Sequence, residues 1–224
     1  MGDHAENEGA ATVAPSIIIR HTLTDRLFHW SMALCVLVLL ATAFLPIIGI
    51  KFKWVTIHWV SGLILTAVVL FHILRSIIWQ DFFSVWFGRA DILEIASHWR
   101  KLFNPEERTE IKPGKYSPAQ KLMHHVMSLL VLITIVTGLL MMVKVDTPLW
   151  ERNPYWLSDD TWGIIYIFHG LSALGLITMI MIHVYFALRP EKLMYTRAMI
   201  KGWLTNEEFM THHDPGKWRQ SLHG

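Results

Sequence analysis

Four long apolar windows dominate the pattern of hydrophobic and polar positions. The windows without Asp, Glu, Lys or Arg cover residues 27–50, 54–74, 122–143 and 161–188. A helix needs about 20 apolar residues to cross the hydrocarbon of a bilayer, and each window reaches that length. Because backbone polar groups in hydrocarbon must be paired within their own segment, each window is predicted to be a helix. The helices are expected at about 27–50, 54–78, 117–143 and 161–188.

Composition supports a membrane protein over a soluble bundle of four buried helices. The chain has 224 residues, of which 53% are hydrophobic and 17% are charged, whereas soluble domains have about 25% charged residues. We expect an all-α integral membrane four-helix domain over residues 18–190. Residues 1–17, which show no cleavable signal peptide, are predicted to be a mobile tail, and residues 191–224 a cytoplasmic tail.

The basic residues predict the orientation of the helices. Of the 20 lysines and arginines, the segments assigned to the outside contain only Lys51, Lys53, Lys144 and Arg152. The positive-inside rule then puts both termini and the loop of about 76–117 in the cytoplasm. The predicted location is the inner membrane of a prokaryote, with lipid around a multi-pass chain. The net charge of +2 gives no reason to expect nucleic acid as a partner.

Histidines within the apolar windows are the candidate functional residues. Polar groups in a membrane core are costly and are usually functional. His169 and His183 are 14 residues apart, which puts them within about 40° on one helix face and about 21 Å apart along the axis. A neutral imidazole is a good axial ligand for haem iron. The fourth helix is therefore predicted to offer one ligand near each side of the membrane.

The predicted topology supplies a second imidazole at each depth. His58 lies opposite His169, and either His29 or His72 can lie opposite His183; spacing alone does not choose between the two. This arrangement predicts a bundle holding two haems, and the single cysteine, Cys35, excludes a CxxCH site for c-type haem attachment. The alternative is a haem-free anchor whose histidines only brace the bundle.

Smaller features support close approach of a planar ligand. Gly62 follows His58 by four positions, and Gly170 and Gly175 flank the face of His169; helix–helix packing explains such glycines equally well. Arg26 precedes His29 by one turn and is a candidate partner for a haem propionate or an interfacial anchor. A transporter is disfavoured because the windows contain no acidic residue.

Polar residues cluster where the third span begins. The residues that could donate hydrogen bonds to a quinone are Tyr116, Ser117, Gln120, Lys121 and His124. The competing interpretation is an ordinary helix start, with Ser117 as N-cap and Pro118 in the first turn. His125 is expected near the inner surface, and His212 and His213 are expected to be surface residues of the C-terminal tail.

Several motifs together resemble one known family. They are "LTDRLFHW" around His29, "IHWVSG" around His58, "GKYSPAQKLMHH", "HGLSALGLITMIMIHVYFA" and "AMIKGWLTNEEFMTHHDPGKW". In order and spacing they are similar to the γ subunit of membrane-bound formate dehydrogenase, a four-helix, di-haem cytochrome b. The resemblance covers about residues 18–220. The cytochrome b subunits of nickel–iron hydrogenases and thiosulfate reductases share parts of the pattern.

The resemblance implies specific roles for these residues. It assigns haem ligation to His29, His58, His169 and His183, and so favours His29 over His72. It also implies a menaquinone or ubiquinone site at Tyr116, Ser117, Gln120 and His183, where quinone is reduced or quinol oxidised. Ser117 stands where the family has Asn, and Ala119 where it has Gly.

The resemblance also implies the kind of complex to which the chain contributes. The implied partners are an iron–sulfur subunit and a catalytic subunit, and a higher oligomer of that complex is compatible with the chain. The expected function is a membrane-anchoring, electron-transfer subunit of a respiratory oxidoreductase, most like formate dehydrogenase. A hydrogenase or thiosulfate reductase complex is the nearest alternative.

Overall fold

The computed structural model describes residues 17–79, 85–104 and 112–218. Apart from Ile17, the predicted N-terminal tail lies outside these residues. The five longest helices are α1 (Leu23–Phe44), α2 (Trp54–Trp79), α3 (Arg89–Phe103), α4 (Pro118–Met142) and α5 (Asp159–Leu188). The shorter elements are strand β1 (Ile17–Ile19), a 3-10 turn (Pro190–Lys192), helix α6 (Leu193–Lys201), strand β2 (Trp203–Thr205) and helix α7 (Asn206–His212).

Four of the helices are long and apolar enough to cross a membrane, namely α1, α2, α4 and α5. Only 11% to 17% of the residues in their most apolar windows are buried inside the protein. Large apolar side chains therefore cover the outside of the bundle, as they do where lipid is the solvent. The predicted helical membrane architecture is confirmed.

The first span differs from its predicted bounds of 27–50. Helix α1 begins four positions earlier because Thr22 caps it, with its hydroxyl accepting from the Asp25 amide and the Asp25 carboxylate accepting from the Thr22 amide. This reciprocal cap places two charged residues inside the first turn. The helix ends at Phe44, because Pro46 has no amide hydrogen with which to continue the helical hydrogen bonds.

The spans pack as two pairs joined through the middle. Helix α1 lies against α2, α4 lies against α5, and α2 contacts α4. The central core cluster contains Val36, Leu65, Val69, Val131 and Leu176. The Thr134 hydroxyl donates to the Ser172 hydroxyl over 2.8 Å and thereby links α4 to α5. The apolar core and this polar link place the faces of the four spans that carry the histidines toward one another.

Helix α3 turns its polar side inward. Asp91 and Glu94 are buried at its inner face, and Asp91 forms a 2.9 Å ion pair with Lys121 at the start of α4. Ile92 and Leu93, by contrast, are 64% and 61% exposed. This polarity is the reverse of that of a soluble surface helix and suits an element with lipid on its outer side.

The C-terminal segment is folded onto the end of the bundle where α1 begins. Strands β1 and β2 form an antiparallel pair that adds a two-stranded sheet to the otherwise helical chain. A second core cluster contains Met194, Ala198, Leu204, Phe209 and Trp218. We call β1, residues 112–116 and residues 193–218 together the terminal cap. The hydrophobic pattern of the chain predicted only helices, so it did not predict that β1 and β2 pair.

His213 lies inside the terminal cap, so the expectation that it is a surface residue is wrong. It is 1% exposed. Its Nε2 accepts from the Arg20 guanidinium at 3.0 Å, and its Nδ1–H donates to the Gly114 carbonyl at 2.6 Å. The Arg20 guanidinium also donates to the Lys115 carbonyl at 2.8 Å. The imidazole therefore connects the N-terminal strand, the segment before α4 and the C-terminal segment.

Candidate functional site

The structure brings His58 and His169 together at the end of the bundle where α2 and α5 begin. His58 lies in the second turn of α2 and His169 in the third turn of α5. The centres of the two imidazole rings are 6.3 Å apart, with an angle of 66° between the ring planes. Helices α2 and α5 thus present one imidazole each at the same depth.

His29 and His183 form a second pair at the other end of the bundle, close to the terminal cap. His29 lies in the second turn of α1, and His183 lies near the end of α5. Their ring centres are 6.2 Å apart, with the planes inclined by 51°. The two histidines of α5, which are 14 residues apart on one face, therefore contact one histidine from α2 and one from α1.

Both pairs have the spacing needed to hold one metal ion between two imidazoles. A metal–imidazole bond is about 2.0 Å long and the ligating nitrogen lies roughly 1.2 Å from the ring centre, so two imidazoles on opposite sides of a metal have ring centres roughly 6.4 Å apart. The observed 6.2 and 6.3 Å agree with this value. Each pair would therefore accommodate one metal ion between its two imidazoles.

His72, the alternative partner for His183, makes a different contact. Its ring stacks on Phe28, with centres 4.1 Å apart and planes inclined by 15°. Phe28 precedes His29 on α1, so the two adjacent side chains contact different imidazoles. In this arrangement His29, and not His72, lies against His183.

Threonines, which the sequence argument did not single out, contact the first pair. The Thr42 hydroxyl is 2.8 Å from Nδ1 of His58, and the Thr137 hydroxyl is 2.9 Å from Nδ1 of His169. Threonine in an apolar helix commonly bonds to the carbonyl of its own preceding turn, so its presence alone gave no signal. Only the packing of α1 on α2 and of α4 on α5 reveals these two contacts.

Glycine positions differ in what surrounds them. A Cβ on Gly138 of α4 would lie 3.3 Å from Cε1 of His169, so this glycine admits the imidazole between α4 and α5. A Cβ on Gly175 would lie 3.0 Å from the Leu130 side chain, which assigns Gly175 to helix packing. A Cβ on Gly62 would meet only Leu39 at 4.0 Å, and one on Gly170 would meet no atom within 4 Å. Gly62 and Gly170 thus leave room beside the first pair.

Arg26 is engaged with the terminal cap. Its guanidinium donates to the Ile200 carbonyl at 2.6 Å, at the end of α6. Gly202 follows in the left-handed conformation, with φ of +97°, and a Cβ there would lie 2.9 Å from the His21 carbonyl oxygen. Arginine at a helix C-terminus satisfies a carbonyl that has no partner within the helix. The contact seen for Arg26 therefore fixes α6 against α1, beside His29.

Ser117 and Gln120 form the capping box of α4. The Ser117 amide donates to Oε1 of Gln120 at 3.0 Å, and the Gln120 amide donates to Oγ of Ser117 at 3.4 Å. These two bonds use acceptor atoms, so the Ser117 hydroxyl hydrogen and the Gln120 side-chain amide hydrogens remain as donors. The helix-start interpretation of this cluster is thus compatible with a second role for the same two side chains.

Tyr116 lies between the cap of α4 and Arg20. The Arg20 guanidinium is 5.6 Å from the centre of the Tyr116 ring. Burial raises the pKa of the Tyr116 phenol, an effect that the Arg20 charge partly opposes. The phenol therefore keeps its proton and can donate it in a hydrogen bond. His124 has an exposed ring 5.8 Å from that of His125, whose Nδ1 donates to the Lys121 carbonyl at 2.8 Å.

Comparison with known proteins identifies a family and relatives that match most of the chain. The family described as prokaryotic cytochrome b561 matches residues 20–202. The formate dehydrogenase cytochrome b556(fdo) subunit of Escherichia coli K12 is 26% identical over 207 residues, covering 88% of this chain and 90% of the relative. The formate dehydrogenase cytochrome b556 subunit of Haemophilus influenzae is 24% identical over 224 residues, covering 92% of this chain and 84% of the relative.

Proposed function

Because the chain belongs to the prokaryotic cytochrome b561 family, we propose that it is a membrane cytochrome b subunit that holds two b-type haems. His58 and His169 hold one iron, and His29 and His183 hold the other. The observation that carries this proposal is the pair of ring-centre distances, 6.3 and 6.2 Å, at the two ends of one bundle. Both distances suit a metal ligated on its two faces.

The chain supplies position and surroundings for electron transfer across the membrane. Haem b, when bound, supplies one-electron oxidation and reduction. Helix α5 contributes one ligand to each pair and spaces the two sites by about 21 Å along its axis. The apolar side chains of the four spans exclude water from the region between the pairs.

A partner subunit is required for the chemistry on a substrate. The chain has one cysteine, Cys35, whereas an iron–sulfur cluster takes four cysteine ligands in its common forms. The names of the relatives in Escherichia coli and Haemophilus influenzae refer to formate dehydrogenase. We infer that this chain anchors a similar complex, with an iron–sulfur subunit docked beside the His58/His169 pair and a catalytic subunit beyond it.

Quinone is the proposed electron partner at the other end. Tyr116, Ser117 and Gln120 offer hydrogen-bond donors at the start of α4, and His183 lies at the same end of the bundle. A quinone carbonyl needs such donors as it gains electrons and protons. The positive-inside rule puts this end and both termini in the cytoplasm, so that proton uptake occurs there.

Haem content of the purified complex tests the proposal. We expect a b-type α-band in the reduced-minus-oxidised spectrum and two haems per chain by pyridine haemochrome assay. His58→Ala and His183→Ala are each expected to lose one haem, while the control His125→Ala keeps both. Absence of a b-type band would overturn the cytochrome assignment, and one haem per chain would overturn the two-site arrangement.

A further inference from the structure

Each imidazole of the His58/His169 pair has a threonine hydroxyl on its Nδ1. Thr42 of α1 contacts His58 on α2 at 2.8 Å, and Thr137 of α4 contacts His169 on α5 at 2.9 Å. Both threonines are buried, with exposures of 3% and 8%. The two contacts repeat one arrangement. In each pair of packed helices, a threonine on one helix contacts the histidine on the other.

The direction of these hydrogen bonds follows from the other contacts of the hydroxyls. Thr42 Oγ1 is 2.8 Å from the Val38 carbonyl, and Thr137 Oγ1 is 2.6 Å from the Ile133 carbonyl. A hydroxyl has one hydrogen, and a carbonyl can only accept, so each threonine donates to its own helix. Its oxygen then accepts from the imidazole Nδ1–H. This leaves Nε2 without a hydrogen and with its lone pair available for a metal.

The His29/His183 pair has different surroundings. Within the described residues no hydrogen bond is seen to either of its rings. The ring of His29 contacts Trp30 edge-on, with ring centres 5.3 Å apart. The two ends of the bundle thus differ in the polar support of their ligands, although their ring-centre distances are nearly equal.

We propose that Thr42 and Thr137 are positioning residues that hold His58 and His169 in the ligating tautomer and lower the reduction potential of the iron between them. The proposal rests on the haem-binding function inferred above. A hydrogen bond accepted from Nδ1–H increases electron density at Nε2 and stabilises the ferric form. Because this support is confined to one pair, it makes the two sites electronically unequal.

Substitution by valine removes the hydroxyl while keeping the shape of the side chain. In the complete membrane complex we expect Thr42→Val and Thr137→Val to raise the midpoint potential of the His58/His169 haem in a redox titration. The low-spin ferric signal of that haem in electron paramagnetic resonance is expected to shift, because ring orientation changes. The signal and potential of the His29/His183 haem are expected to stay at their wild-type values.

Two further variants separate the hydroxyl from general packing. Thr42→Ser and Thr137→Ser keep the oxygen and are expected to restore wild-type potential and signal. Thr178→Val is the matched control, since its hydroxyl donates to the Leu174 carbonyl of its own helix on the exposed surface of α5. His58→Ala identifies which signal belongs to the supported site.

The outcomes distinguish this inference from the proposed function. Wild-type potential and signal in both valine variants would overturn the role of the threonines while leaving two-haem binding intact. Loss of the supported haem in the valine and serine variants alike would overturn it too, because the hydroxyl would not be the determinant. Loss of the His58/His169 haem in the valine variants, together with its retention in the serine variants, would support the role of the threonine hydroxyls. Absence of haem from the wild-type complex would overturn the proposed function itself.

Discussion

At the scale of single residues, the four ligand candidates are distinguished by what contacts each ring. His58 and His169 have buried hydroxyls on Nδ1, His29 contacts an indole edge, and His183 lies on an exposed helix face. A fixed tautomer matters because the ligating nitrogen must carry a lone pair. Distances between rings alone do not separate the two sites, whereas hydrogen bonding does.

The pairing of His29 with His183 leads to a prediction about haem content. We expect His29→Ala to remove one of two haems and His72→Ala to keep both, because the His72 ring stacks on Phe28 instead of facing His183. Pyridine haemochrome analysis of the purified complex measures the number of haems per chain in each variant. Two haems in the His29 variant together with one in the His72 variant would reverse the assignment.

Gly138 offers a second test at this scale. A leucine there would place carbon atoms against the imidazole of His169, since even a Cβ would lie 3.3 Å from Cε1. We expect Gly138→Leu to displace the His169 ring and to abolish binding of the haem that His169 is proposed to ligate. Gly163→Leu on α5 is the control, because a Cβ at Gly163 would meet no atom within 4 Å. Equal haem content in the two variants would contradict the argument.

At the scale of elements, the start of α4 combines two roles in one capping box. Ser117 is the N-cap, and its oxygen accepts the Gln120 amide. Capping by serine stabilises a helix by about 1 kcal/mol relative to alanine. The same hydroxyl can donate outward, so stability and quinone chemistry are expected to depend on different atoms of this side chain.

Two substitutions of Ser117 separate those roles. Ser117→Ala is expected to weaken the first turn of α4 by about 1 kcal/mol and to slow quinone turnover, because both acceptor and donor are lost. Ser117→Asp keeps an oxygen that caps the helix but lacks the donor hydrogen, so turnover falls while the turn stays protected. Hydrogen exchange at the amides of residues 119–121 and quinone-linked activity of the complex measure the two effects. Normal turnover in both variants would exclude the hydroxyl from the quinone site.

At the scale of the whole molecule, the terminal cap joins β1 and the C-terminal helices to the bundle. Arg20 donates to His213 and to the Lys115 carbonyl, and Arg26 donates to the Ile200 carbonyl. The half-buried ion pair of Arg197 with Glu208 links α6 to α7. Because the Arg20 guanidinium also lies 5.6 Å from the centre of the Tyr116 ring, we expect folding of the cap and the shape of the proposed quinone site to be coupled.

The terminal cap is expected to loosen in acid. Burial, followed by the nearby positive charges, lowers the pKa of His213 to about 4 from 6.5, although the Gly114 carbonyl opposes the shift. Between these two values the unfolded segment binds a proton that the folded cap does not, so stability is complete above about pH 6.5 and falls toward pH 4. One pKa unit corresponds to about 1.4 kcal/mol, so the shift from 6.5 to about 4 limits the loss of stability to about 3.5 kcal/mol.

Hydrogen exchange of residues 203–218 at several pH values measures this effect. The opening free energy, corrected for intrinsic exchange, is expected to decrease between pH 7 and pH 5. His213→Gln is expected to flatten this dependence, because glutamine does not titrate. An unchanged slope in that variant would assign the acid sensitivity to another group, such as His21, whose pKa burial lowers to about 3.

The sequence by itself determined the properties that depend on periodicity and composition along the chain. Charge-free windows predicted the four spans, because length and apolarity suffice to specify a helix in hydrocarbon. The 14-residue interval between His169 and His183 predicted two sites on one face of α5, because helical geometry is regular. The motif around Ser117 predicted the cap of α4, since capping is a local interaction.

Only the tertiary structure decided the contacts between segments that are distant in sequence. It placed the His29 ring against His183, a contact that the family resemblance favoured but that spacing left open, because the packing angle and rotation of α1 against α5 are not encoded in spacing. It brought Thr42 and Thr137 onto the imidazoles of neighbouring helices, and it buried His213 within the terminal cap, against Arg20 and the Gly114 carbonyl. Such contacts depend on how side chains from several elements fill a shared volume, and no local pattern specifies that arrangement.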